Sequence, residues 1–119
     1  MAEKSKLLQS IVDGIQEKKG KNINTISLKG VTGAICDYFV ICEGNTPTQV
    51  SALAESIEKI VKENTLESPL RVQGKQQSEW VGMDYGNIIV HIFIPELRSF
   101  YNLEHLWEDA ISERIPTID

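Results

Sequence analysis

The run Ile88-Ile89-Val90-His91-Ile92-Phe93-Ile94 constrains this chain more than any other segment. It is far shorter than the roughly 20 apolar residues of a membrane span. Its wealth of β-branched residues marks it as a strand. Side chains alternate across a strand, so Ile88, Val90, Ile92 and Ile94 line one face while Ile89, His91 and Phe93 line the other. Both faces are largely apolar and both need cover, which predicts a central strand. Trp80–Tyr85 and the turn pair Gly86-Asn87 stand directly before it, the pattern of a β-hairpin.

Tyr38-Phe39-Val40-Ile41-Cys42 is a second continuously apolar strand. Behind it Thr46 is placed to cap a helix, Pro47 occupies the first helical position and Gln49 completes a capping box. Val50, Leu53, Ala54, Ile57, Ile60 and Val61 then keep one apolar face until Asn64. With Leu70-Arg71-Val72-Gln73 following, this is a β-α-β crossover, which calls for parallel strands. An earlier helix is predicted on Leu7, Leu8, Ile11, Val12 and Ile15, stopping at Gly20, and Ile23–Lys29 alternates like a half-exposed strand. Asn102 is expected to cap a closing helix whose Leu103, Leu106, Trp107, Ala110 and Ile111 face the core. These elements predict an α/β fold, an α+β mixed sheet of about five strands flanked by helices. A single domain over residues 1–119 accommodates them.

Composition narrows the function. Hydrophobic residues at 41% and charged residues at 24% are ordinary for a globular domain and exclude a disordered chain. Met1–Lys6 shows neither an apolar signal core nor an Arg-rich transit pattern, so the expected compartment is the cytoplasm. Cys36 and Cys42, six positions apart around one strand, are too far apart for a disulfide and lack the companions of a zinc site. Both are expected to be small buried hydrophobes. The net charge of −5 leaves no overall basic field for nucleic acid. The charge is uneven: residues 1–75 carry 10 basic and 9 acidic side chains, residues 76–119 carry 2 and 8. An acidic half is either a plain solvated surface or the face shown to a basic protein.

Catalytic constellations are scarce. A metal-dependent nucleotidyltransferase holds its ions with two carboxylates two residues apart on one strand, but the position two beyond Asp37 is Phe39. The Glu43-Gly44-Asn45 turn before a helix start has one glycine and no lysine at phosphate-loop spacing. His91 lies within an apolar strand, and no Ser or Cys sits in a nucleophile elbow. No catalytic residue, metal ligand or cofactor site is therefore assigned. Instead Trp80, Asp84 and Tyr85 crowd one short strand, with Phe100, Tyr101 and Trp107 close behind. Trp and Tyr dominate binding hot spots. Trp80 and Tyr85 fit either anchors or core, whereas the spacing of Trp107 with Leu103, Ala110 and Ile111 points it inward.

At these residues the chain resembles the ribosomal silencing factor family, also called Iojap-like proteins. The resemblance rests on Asp37–Asn45, Gln49-Val50, the Trp80–Asn87 hairpin, Val90–Phe93, Arg98, Phe100-Tyr101, Leu103-Glu104 and Leu106-Trp107. Asn87 and Gln73 depart from it, standing where the family often has Asp and Glu. It implies a nucleotidyltransferase-like topology without catalytic carboxylates, in agreement with Phe39. It also implies a non-enzymatic translation repressor that binds the fourteenth protein of the large ribosomal subunit and blocks joining of the small subunit when nutrients are scarce. The partner is then a basic ribosomal protein, with little direct nucleic-acid contact and no membrane. Trp80, Asp84 and Tyr85 are the first candidates for that contact, followed by Asp37, Tyr38 and Tyr101. The rings would anchor, and the carboxylates would pair with Lys or Arg. Two rivals remain: a nucleotide-binding or nucleotidyltransferase-like enzyme, and a homodimeric adaptor. Oligomeric state is left open, a homodimer of the free protein included.

Overall fold

The computed structural model describes residues 2–31, 33–108 and 110–116, with side chains from Lys6 onward. Along the chain run α1 (Ala2–Glu17), β1 (Lys21–Ser27), β2 (Tyr38–Glu43), α2 (Pro47–Thr65) and β3 (Arg71–Gln73). They are followed by β4 (Trp80–Asp84), β5 (Ile88–Phe93), α3 (Pro95–Tyr101), α4 (Leu103–Leu106) and β6 (Ile111–Ile115). The described strands form one mixed sheet in the order β3-β4-β5-β2-β1-β6. β5 is interior, as its two apolar faces require. It pairs antiparallel with β4 across the Gly86-Asn87 turn and parallel with β2, where Tyr38 faces Ile88 and Glu43 faces Phe93.

The alternation of β2 and β5 divides the interior into two cores. Val40, Cys42, Ile88, Val90 and Ile92 pack with Leu7, Ile11 and Ile15 of α1 and Val50, Leu53, Ile57 and Val61 of α2. Phe39, Ile41 and Phe93 turn the other way and join Ile26 and Leu28 beneath Leu97, Leu103 and Trp107. The first core is the larger because two long helices close it. They meet at Gly14, where a Cβ would lie 2.8 Å from the Ile57 Cα. The Ser56 hydroxyl donates to the Gly14 carbonyl at 2.8 Å. At the start of α2 the Thr46 hydroxyl accepts from the Gln49 N–H as its sequence predicts, while the Gln49 side chain reaches one residue past the cap and accepts from the Asn45 N–H.

Four expectations need correction. The closing helix is only Leu103–Leu106, after which the chain extends into β6, a sixth strand paired antiparallel with β1. Leu106 and Ile111 are therefore exposed rather than core. β1 is not half-exposed, since β6 and the α3–α4 segment bury Asn24 and Thr25. β3 runs parallel to β2 but not beside it, because β4 and β5 lie between them. Finally, Cys42 is buried but Cys36, in the loop before β2, is half-buried; both are free thiols.

Candidate docking surface

α1 and α2 seal one face of the sheet, while α3 and α4 cover only part of the other. The uncovered part lies over β3, β4 and the adjoining half of β5. On β4 the period of two turns Trp80, Gly82 and Asp84 toward it, opposite Phe93, His91 and Ile89. Trp80, Gly82, Asp84, Ile89 and His91, with Arg71 and Gln73 of β3, line a depression of about 360 Å³. Gly82 leaves its floor open, since a Cβ there would meet nothing within 4 Å.

Trp80 is the centre of an aromatic cluster. Its ring stacks on Phe93 at 5.0 Å between centroids and lies 4.6 Å from Tyr101 of α3. Its indole N–H donates to Nδ1 of His91 at 3.1 Å. His91 in turn meets the edge of Phe39 at 4.9 Å, and Phe39 meets Trp107 at 6.0 Å. Burial lowers the His91 pKa to about 4, so the imidazole is neutral and free to accept from Trp80. Tyr101 is 47% exposed and Phe100 77%, which leaves an open aromatic rim beside the half-buried Trp80.

Two carboxylates border this face. Asp84 accepts from the Gly86 N–H at 2.7 Å and thereby also shapes the hairpin turn. The backbone of Asp37 is tied to the same turn, its N–H donating to the Asn87 carbonyl at 2.8 Å. Both charges act on Cys36, whose thiol pKa is raised first by burial and then by Asp37 and Asp84. Such a surface offers a partner flat aromatic area, a recess and negative charge. Among the described residues no three His, Cys, Asp or Glu side chains are grouped as a metal site.

Trp80, Asp84 and Tyr101 thus come together on the open face, with Asp37 at its end. Tyr85 and Tyr38 do not. Tyr85 is 6% exposed within the larger core, on the opposite face from Trp80, and burial drives its pKa upward. Tyr38 is half-buried at the rim of that same core, with the Lys29 ammonium 5.5 Å from its ring centre. His91, Gly82 and Phe100 belong to the surface but were not candidates from sequence. The signal for the first two was parity, since Trp80, Gly82 and Asp84 share a face and His91 sits on the same face of β5.

Comparison with known proteins places the chain as a whole. Residues 1–119 match the family described as ribosomal silencing factor during starvation. A ribosomal silencing factor from Halalkalibacterium halodurans is 38% identical over 113 residues, covering 95% of this chain and 91% of that one. A mouse protein named for mitochondrial assembly of the ribosomal large subunit is 33% identical over 73 residues, 60% of this chain and 32% of that one. The crystal structure of a Chromobacterium violaceum protein superposes with a TM-score of 0.81 at 27% identity, covering 87% of this chain and 85% of that one. The likeness first carried by the Asp37–Asn45 stretch and the Trp80–Asn87 hairpin extends over the whole sequence, and the chain belongs to the ribosomal silencing factor family.

Proposed function

We propose that this chain represses translation by docking its open sheet face on the large ribosomal subunit, where it blocks joining of the small subunit under nutrient limitation. The contact is with the subunit's fourteenth protein, at the surface the two subunits share, and takes place in the cytoplasm. The observation that carries this reading is the Trp80–Tyr101 pair, partly exposed at one end of the sheet face the long helices leave open, with Asp84 at the other end of β4. Aromatic rings supply contact area at small entropic cost, and carboxylates select a basic partner and speed its approach. Asp84 and Asp37 pair with its Lys or Arg side chains. Tyr38 and Tyr85 support this surface from behind.

No chemistry is needed. Two binding events compete for one surface, so silencing follows occupancy. The enzyme alternative asks for a second carboxylate where Phe39 is packed against His91 and Trp107. Sedimentation with purified subunits tests the proposal. The protein is expected to pellet with the large subunit alone and to reduce the yield of joined ribosomes in proportion to its occupancy. Pelleting with the small subunit, or large-subunit binding that leaves joining intact, would overturn it.

A further inference from the structure

We infer that Arg98 is the positioning residue of the docking surface, fixing the α3–α4 segment so that Tyr101 lies against Trp80. The inference rests on the docking reading for its functional meaning and on the side-chain network for its geometry.

α3 has 7 residues and α4 only 4, too few for either helix to persist on its own. They meet at Asn102, whose left-handed backbone (φ 47°) turns the chain between them. Something must hold this short segment against the sheet, and Leu97, Leu103 and Trp107 supply only a partial apolar seal. Arg98 supplies the rest. It is 7% exposed, and its guanidinium makes four hydrogen bonds. Nε and one terminal nitrogen fork onto the Glu104 carboxylate at 3.1 and 2.8 Å, which ties α3 to α4. The other terminal nitrogen donates to the Asn22 carbonyl at 2.6 Å and to Glu43 at 3.0 Å, which ties both helices to β1 and β2.

The sheet is shaped to receive this group. Pairing of β1 with β2 slips between Lys21 and Asn24, and Asn22 adopts a positive φ of 52° there. The Asn22 side chain donates to Glu43 at 3.1 Å, and Asn24 donates to Glu104 at 2.9 Å. Each carboxylate thus has a second hydrogen bond, from β1, that orients it toward Arg98. Buried ion pairs often add little stability relative to apolar replacements, but their fixed geometry specifies orientation. None of the partners of Arg98 lies on α1 or α2, which close the larger core. Tyr101 follows Arg98 by three positions, close to one helical turn, so the angle at which the guanidinium is held sets where that ring lies.

The test combines nuclear magnetic resonance with binding to the large subunit. In Arg98→Met, cross-peaks between the Tyr101 ring and the Trp80 indole should disappear, while the methyl resonances of Leu53, Ile57 and Val61 stay in place. Large-subunit affinity should weaken about tenfold, but by less than about twofold when Arg98→Met is added to Tyr101→Ala, because the two changes remove one effect. Persistent Tyr101–Trp80 cross-peaks, or losses that add in full, would overturn the assignment. If Arg98→Met does not fold, Glu104→Gln removes the charge of the forked carboxylate at nearly constant size and is judged by the same cross-peaks and affinities. If Trp80→Ala and Tyr101→Ala leave affinity unchanged, the docking reading fails, and the cross-peaks still decide the role of Arg98.

Discussion

His91 accepts the Trp80 indole proton at Nδ1, so its own proton resides on Nε2, which has no partner among the described residues. Burial lowers its pKa from 6.5 to about 4, so between those values the unfolded chain binds a proton that the folded one refuses. Stability from this group is full above pH 6.5 and falls as the pH drops toward 4, by up to about 3 kcal/mol. Urea titrations at pH 7 and 4.5 should show the fall, and His91→Gln should flatten it. Glu104, whose pKa Arg98 lowers, adds a loss at still more acid pH that His91→Gln leaves intact. Tyr85 obeys a different logic. Its buried hydroxyl lacks a partner among the described residues, so Tyr85→Phe should leave stability unchanged or raise it by about 1 kcal/mol, without affecting large-subunit affinity. Trp80→Ala should cost about 2 kcal/mol or more of binding, roughly thirtyfold. Its cost in folding should stay below the 3–5 kcal/mol typical of an emptied aromatic core site. Trp107→Ala should reverse that order, with stability lost first; normal binding by a destabilised Trp80→Ala would mark Trp80 as core instead. The separation of Trp80 from Tyr85 was legible without coordinates. Five positions is an odd interval, and an odd interval in a strand changes face.

Most elements could be read locally because each carries its own signal. α2 has Thr46, Pro47 and Gln49 at its start, and the hairpin has Gly86-Asn87 between two apolar strands. The closing segment misleads for an equally local reason. Leu103, Leu106, Trp107, Ala110 and Ile111 fit a helical stripe, and Asn102 fits a cap. Yet Asn102 ends α3, its N–H bonded to the Arg98 carbonyl, and its side chain caps nothing. β6 exists because β1 offers it a free edge, from Ile23 opposite Ile115 to Ser27 opposite Ile111. Such pairing across the chain leaves no mark on a short window of sequence. The Arg98 network was equally hidden, since its partners come from β1, β2 and α4. A prediction belongs to the α1–α2 contact. Gly14→Ala places a methyl 2.8 Å from the Ile57 Cα, where backbone has to move. It should cost about 1–3 kcal/mol in urea unfolding. An unchanged midpoint would mean that the helices can separate freely at this crossing.

Across the whole molecule, charge is divided as unevenly as the two cores. Residues 76–119 carry 8 acidic and 2 basic side chains, and one of those two, Arg98, is spent inside the fold. An acidic surface meeting a basic protein should bind with a shallow dependence on salt, equivalent to no more than about two phosphate contacts. Titrations of large-subunit affinity between low and high salt would reveal the slope, and one as steep as a nucleic-acid binder's would identify ribosomal RNA as the partner surface. The alternation along β5 has a broader consequence. Val90 and Ile92 belong to the core shared with α1 and α2, whereas His91 between them supports Trp80. On the docking reading, neighbouring codons answer to separate demands, one for the core and one for the proposed contact face. Exposed rings of the open face such as Tyr101 can be exchanged while the core beneath α1 and α2 stays untouched. Trp80, His91 and Asp84, by contrast, carry packing or turn geometry as well and bind the choice of partner to the fold.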